Sequence, residues 1–93
     1  MYSIFMEIEF DPAKDAANLS KHGVSLTRAA DMDLGAARVV EDDRTNYGEA
    51  RFIALGTIGS RIHVLVFTMR DEVVRVISLR KAKPKEVRLY EQG

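Results

Sequence analysis

Hydrophobic and polar residues alternate with period two in several stretches of the chain, which is the spacing of strands with one buried face. One stretch, 61–69, is apolar on both faces between Val64 and Phe67, and this predicts a central strand covered on each side. The predicted strands cover residues 4–10, 38–41, 51–57, 61–69 and a stretch that begins at Val74.

Helical signals separate and follow these strands. A helix is predicted over Pro12–His22, because Asp11 is a favoured N-cap and Gly23 a favoured residue just past a helix end. A second, shorter helix is predicted to begin after Ser25 and to end about ten residues later, and a third begins at Pro84. This order predicts a single α+β domain over residues 1–93. We expect an antiparallel sheet of about four to five strands, two helices in the N-terminal half and one C-terminal helix.

Composition narrows the class of protein. With 93 residues and 46% hydrophobic content, the chain can build one core. It contains no cysteine, so a disulfide framework and a thiolate metal site are excluded. No apolar run approaches the roughly 20 residues that span a bilayer. We therefore expect a cytoplasmic protein with no membrane segment.

Charge is distributed unevenly although the net charge is zero. Residues 1–60 hold six Lys and Arg against ten Asp and Glu, whereas residues 61–93 hold eight against four. The basic excess is greatest between Arg75 and Arg88, where Glu86 is the one acidic residue. This asymmetry predicts a local anion-binding patch, or else separate acidic and basic faces for different partners.

Lys21 and His22 form the first candidate site, at the predicted end of the first helix, with Lys14 about two turns earlier. Histidine titrates near neutral pH and can transfer protons, and lysine can hold a phosphate as a point charge. The alternative is structural, since cations at a helix C-terminus interact favourably with the helix dipole.

Two further candidates come from the strands. Ser78 and Arg80 share one face of the last strand, where the arginine fork matches phosphate oxygens and the hydroxyl can orient one. Arg51 opens a strand after an acidic loop, where it can contact a ligand or pair with Glu49 or Asp43. His63 lies in the most apolar strand and is predicted to be a satisfied, partly buried side chain. The two histidines lack metal-site spacing, so neither a metal nor a cofactor is expected.

Three segments resemble the BrnT-type toxins of type II toxin–antitoxin systems. They are FDPAKDAANLSKHGVSL at 10–26, RFIALG at 51–56 and VVRVISLRKAKPKEVRLYE at 73–91. Two features depart from the family pattern, namely Lys83-Pro84 at the start of the last helix and LTRAADMDLG in the second helix. Both concern helix ends, packing and the antitoxin contact more than the site.

The resemblance implies a RelE-like fold and a metal-independent endoribonuclease that inhibits growth by cutting RNA. It also implies a hetero-oligomer with a cognate, BrnA-like ribbon-helix-helix antitoxin, which neutralises the toxin. The resemblance further implies that the toxin binds operator DNA only through the antitoxin. The polar motif residues of the family fall here on Lys14, Lys21, His22, Arg51, Ser78, Arg80, Glu86 and Tyr90. We predict that His22, Arg51, Arg80 and Tyr90 are catalytic and that Lys14, Lys21, Ser78 and Lys81 bind RNA.

RNA carries its own nucleophile, because the ribose 2′-OH can attack the neighbouring phosphate and expel the 5′-oxygen. In this hypothesis Arg80 and Arg51 stabilise the phosphate, Lys21 holds the backbone, and His22 or Tyr90 transfers a proton. Two alternatives remain open. One is a catalytically inactive binding module that acts as co-repressor with its antitoxin, and the other is an adaptor that does not bind nucleic acid, which the zero net charge favours.

Overall fold

The computed structural model describes residues 7–44 and 48–92 as five strands, two α-helices and one 3₁₀ helix. The strands are β1 (Ile8–Glu9), β2 (Arg38–Asp42), β3 (Arg51–Ile58), β4 (Arg61–Arg70) and β5 (Val73–Lys81). The helices are α1 (Pro12–His22), the 3₁₀ helix (Leu26–Asp31) and α2 (Pro84–Glu91).

The strands form one sheet in the order β1-β5-β4-β3-β2. Strands β2 to β5 are an antiparallel meander with β4 near the middle, as its two apolar faces predicted. The short β1 pairs with β5 in parallel, so the sheet is mixed and not purely antiparallel. The α+β class is confirmed. Of the strand predicted over residues 4–10, residues 4–6 lie outside the described part of the chain.

Local capping explains where the helices begin and end. The Asp11 side chain accepts a hydrogen bond from the Ala13 N–H at 2.8 Å, and Gly23 takes the left-handed conformation (φ 72°) at the end of α1. Both features match the prediction. The second helix does begin after Ser25, but it is a 3₁₀ helix that ends at Asp31, earlier than expected.

The core lies on the face of the sheet that the segment 24–32 covers. Gly56 allows this segment to approach closely, since a Cβ there would lie 3.0 Å from the side chains of Met32 and Ala37. The buried core residues are Val24, Leu26, Ala29, Met32, Ala54, Ile58, Leu65, Phe67, Val74, Val76 and Leu79.

The opposite face of the sheet, which we call the α2 face, carries α2. Leu89 lies beside Leu55 of β3, and Val87 lies beside Ile62 of β4. Strand alternation puts the odd residues of β3 and the even residues of β4 on this face, away from the core. A β-bulge in β5 opposite Val66 shifts the alternation by one residue, so that Ser78 and Arg80 also belong to the α2 face.

Candidate functional site

A groove of about 210 Å³ runs between α1 and β5, at the β5 side of the sheet. We call it the α1–β5 groove. Helix α1 contributes residues at helical spacing, and β5 contributes the two residues at its bulge. The lining residues are Lys14, Ala17, Asn18, Lys21, His22, Ile77 and Ser78. Thus Lys14, Lys21, His22 and Ser78, which were predicted from separate parts of the sequence, line one surface.

Asn18 fixes α1 to β5 within this groove. Its Nδ2 donates to the carbonyl oxygens of Leu79 at 2.7 Å and of Val24 at 2.8 Å, and its Oδ1 accepts from the Leu79 N–H at 3.2 Å. Strand β1 pairs with β5 at Val74 and Arg75. The side-chain amide of Asn18 pairs with β5 further along the strand, at Leu79. Because Leu79 lies between Ser78 and Arg80, this contact sets their position relative to α1.

His22 is partly exposed at the end of α1. Its pKa is lowered from the ordinary value of 6.5, first by partial burial and then by the positive charges of Lys21 and Arg80. The contribution of Arg80 indicates that its charge on β5 lies within electrostatic range of the imidazole on α1. The imidazole is neutral at pH 7 and able to accept a proton.

Arg80 forms an ion pair with a residue of α2. Its two terminal nitrogens each donate to one carboxylate oxygen of Glu86 at 2.7 Å, a bidentate ion pair that is about 70% buried. Glu86 also accepts from the Lys83 N–H at 2.8 Å, which caps α2. The ion pair lowers the pKa of Glu86 to about 2. Arg80 therefore couples the start of α2 to the groove, and its charge is shared with a carboxylate.

The structure does not bring the other predicted residues into the groove. Arg51 lies at the start of β3, opposite Asp42 of β2 in the register, and Glu49 is paired with Arg70 instead. The Tyr90 hydroxyl donates to the Ala36 carbonyl at 3.4 Å, near the beginning of β2. Three strand spacings, about 14 Å, separate β2 from β5.

Lys81 and His63 form a cross-strand pair in β5 and β4. Lys81 is exposed, and it follows Arg80 at the end of its strand without lining the groove. His63 is buried, and its Nδ1 lies 2.9 Å from the Arg61 carbonyl oxygen, as expected of a satisfied structural histidine.

The described residues form neither a metal-binding cluster nor a membrane-spanning helix. Over residues 7–44 and 48–92, no three His, Asp or Glu side chains are grouped closely enough to hold a metal ion. None of the helices that the structure describes has the length and apolar character of a membrane span.

Residues 10–86 match the model of a protein family described as "Ribonuclease toxin, BrnT, of type II toxin-antitoxin system". The match covers the α1–β5 groove, the bulge of β5 and the Arg80–Glu86 pair. The chain belongs to the BrnT family. The resemblance predicted from the sequence is thereby confirmed.

The fold supports the same assignment. The crystal structure of the Brucella abortus ribonuclease toxin BrnT superimposes on this chain with a TM-score of 0.68 and 24% sequence identity. The alignment covers 84% of this chain and 97% of the Brucella protein. No curated protein sequence matches the chain.

Sequence reasoning missed the one buried polar residue of the groove and did not anticipate the partner of Arg80. Asn18 was not selected, although a polar residue on the inward face of α1, four positions from both Lys14 and His22, is a signal of a buried contact. Glu86 was recognised as a family motif residue, but its ion pair with Arg80 was not anticipated.

Proposed function

We propose that this BrnT-family protein is the toxin of a type II toxin–antitoxin system and an endoribonuclease whose active site is the α1–β5 groove. The observation that carries the proposal is the position of Lys14, Lys21, His22 and Ser78 along one groove, with Arg80 near enough to help lower the pKa of His22. Family membership supports the choice of RNA as the substrate.

In the proposed reaction the neutral imidazole of His22 accepts the proton of a ribose 2′-OH. The 2′-oxygen then forms a bond to the adjacent phosphorus, and the bond from phosphorus to the 5′-oxygen breaks. The products are a 2′,3′-cyclic phosphate and a 5′-hydroxyl, with the leaving oxygen protonated by water or by an acid. A positioned base of this kind contributes about 10²- to 10⁴-fold to a rate.

The cations have separate tasks in this scheme. Lys14 and Lys21, on one side of α1, hold the RNA backbone as point charges. Arg80 stabilises the charge that develops on the phosphate, and for this its guanidinium is held in place by Glu86. Ser78 orients a phosphate oxygen. The predicted roles of Arg51 and Tyr90 are not part of this scheme.

The proposed partner is a cognate, BrnA-like ribbon-helix-helix antitoxin that forms a hetero-oligomer with the toxin in the cytoplasm. Operator DNA is reached through the antitoxin. Type II membership supports an antitoxin partner.

Induction of the protein alone in a bacterial host tests the proposal. We expect growth arrest, relief of the arrest by the co-expressed neighbouring ribbon-helix-helix protein, and RNA fragments that end in 2′,3′-cyclic phosphate. Purified toxin should cleave RNA equally with and without EDTA, and binding should weaken as salt rises. Growth without arrest together with intact RNA would contradict the proposal.

A second candidate function is a catalytically inactive co-repressor. The bidentate Glu86 contact favours it, because this contact occupies the guanidinium that the reaction scheme assigns to the phosphate. Such a protein would bind the antitoxin and strengthen its binding to operator DNA, without cleaving RNA. RNA cleavage by the purified wild-type protein decides between the two candidates.

A further inference from the structure

The α2 face carries a second depression, separate from the α1–β5 groove. It has a volume of about 220 Å³, which is below the 300–1,000 Å³ typical of sites for drug-sized ligands. Strands β2 and β3 form its floor and α2 forms one wall. The lining residues are Arg38, Val40, Ile53, Leu55 and Leu89. We call it the apolar depression.

The strand register joins the apolar depression to the α1–β5 groove. Ser78 is opposite Val66, Val66 is opposite Ile53, and Ile53 is opposite Val40. These four residues form one row across the α2 face. Val66 and Ile53 are only half-buried, so the row is an accessible strip of the sheet. Two strand spacings, about 10 Å, separate Ser78 from Ile53, and three strand spacings, about 14 Å, separate Ser78 from Val40.

A distance of this size is more than a base reaches from its own phosphate, and it fits the base of the next nucleotide along the strand. The apolar side chains of the depression suit the flat face of a base. Arg38 forms its one charged edge, and its guanidinium is held by a hydrogen bond to the Leu89 carbonyl. A guanidinium fixed in this way can stack on a base or donate to its edge.

We propose that the apolar depression binds the base of the nucleotide next to the one whose phosphate lies in the α1–β5 groove. Val40, Ile53 and Leu89 then contact the base, and they determine which bases are accepted. This inference rests on the proposed ribonuclease function and adds a base-recognition site to it. The occupant is RNA, because one row of residues connects the depression to the cationic groove.

Two neighbouring valines of β2 provide a matched test. Val40 lines the depression and is 61% exposed, whereas Val39 points to the other face of the sheet and is 46% exposed. Because both side chains are about half exposed, replacing either with serine spares the core. The probes are the four 2′-O-methyl homotrinucleotides, which lack the attacking hydroxyl, and an abasic trinucleotide with the same phosphates.

For the wild-type protein and for Val39→Ser, we expect the best-bound homotrinucleotide to bind about fivefold more tightly than the abasic probe. In Val40→Ser most of this difference should disappear, while the affinity for the abasic probe stays the same. Fluorescence anisotropy at low salt measures all of these affinities, and their comparison isolates the contact between Val40 and the base.

The proposal is wrong if bases add no affinity in the wild-type protein, or if the two serine variants behave alike. It is also wrong if Val40→Ser weakens binding of the antitoxin and leaves the base contribution unchanged, because the depression would then be a protein interface. In each of these cases the abasic probe would still bind in a salt-dependent manner. Loss of that binding as well would instead contradict the ribonuclease function itself.

Discussion

The charge state of His22 determines how the α1–β5 groove responds to pH. Partial burial, Lys21 and Arg80 all disfavour the imidazolium, so the pKa lies below 6.5. As a general base, the ring is active when it is neutral. The RNA cleavage rate should therefore rise with pH through an inflection below pH 6.5 and then level off.

A pH–rate profile from pH 4.5 to 8 under single-turnover conditions measures this effect. Lys21→Gln is the informative variant, because it removes one cause of the lowered pKa and should move the inflection to higher pH. A rate that falls as pH rises from 5.5 to 7 would assign His22 the role of an acid instead.

Glu86 makes the stability of the fold sensitive to acid. Its pKa falls from 4.5 in an unpaired carboxyl to about 2 in the ion pair with Arg80. A depressed carboxyl pKa contributes stability above the unfolded value, and this contribution is lost as pH falls from 4.5 towards 2. After allowance for partial solvent screening, the contribution is about 1–2 kcal/mol.

Urea unfolding of the wild-type protein and of Glu86→Gln checks this prediction. At pH 7 the variant should be less stable by about 1–2 kcal/mol, and the difference should shrink at pH 3. Glu91→Gln, at an exposed position on the same helix, serves as the control and should match the wild type. If the difference in stability between the wild type and Glu86→Gln were the same at pH 7 and pH 3, the ion pair would not be the source of that difference.

At the scale of elements, the contact between α1 and β5 depends on Asn18. An aspartate there has the same shape, but its carboxylate cannot donate to the Val24 and Leu79 carbonyls. Asn18→Asp should lower the free energy of unfolding by about 2–4 kcal/mol, since the buried acceptors lose their donors. Ser20→Ala, on the exposed side of α1, should change it by less than about 0.5 kcal/mol.

Chemical denaturation of both variants tests the contact. If Asn18→Asp were as stable as Ser20→Ala, the amide would not be joining α1 to β5. A matching loss of RNA cleavage is expected for Asn18→Asp, because Ser78 and Arg80 would move relative to His22.

The turn between β4 and β5 is strained. Asp71 and Glu72 both have positive φ, 51° and 69°, in a two-residue connection where glycine or asparagine is preferred. Glu72→Gly should raise the free energy of unfolding by about 1 kcal/mol, and Glu72→Ala should not, because alanine keeps the steric conflict. Thermal unfolding of the two variants measures their stabilities. An equal change in stability would show that the positive φ of Glu72 does not destabilise the turn.

The periodicity of the sequence predicted most elements because their determinants are local. Asp11, Gly23 and Pro84 mark helix ends through their own backbone preferences, and the doubly apolar stretch marks the middle of the sheet. Two features depend on partners distant in sequence and were missed. These are the parallel pairing of β1 with β5 and the bulge opposite Val66, which no pattern of period two can encode.

At the scale of the whole molecule, the same reasoning explains which candidate site residues converge. Lys14, Lys21 and His22 share one helix face, so their proximity follows from helical spacing. The proximity of Ser78 to these three residues depends on where α1 packs against β5. Only the family resemblance predicted that proximity. The separation of Tyr90 follows from the direction of α2, which crosses from β5 towards β2.

The fold brings together cationic side chains from the acidic and the basic parts of the sequence. Two lysines of the groove come from the acidic part of the chain, and Arg80, which lies next to Ser78 outside the lining, comes from the basic part. A protein of zero net charge therefore presents a local cationic surface. A surface of this kind suits a phosphate backbone, and a partner that masks it would have to cover α1 and β5 together.

The central claim is that the α1–β5 groove performs chemistry on RNA, and His22→Ala tests it most directly. The measurement is the single-turnover rate of RNA cleavage, with Lys85→Ala, an exposed cation on α2 outside the groove, as the control. We expect a fall of about 10²-fold or more for His22→Ala and a rate within about twofold of the wild type for the control. If His22→Ala cleaves RNA as fast as Lys85→Ala, the groove is not the active site.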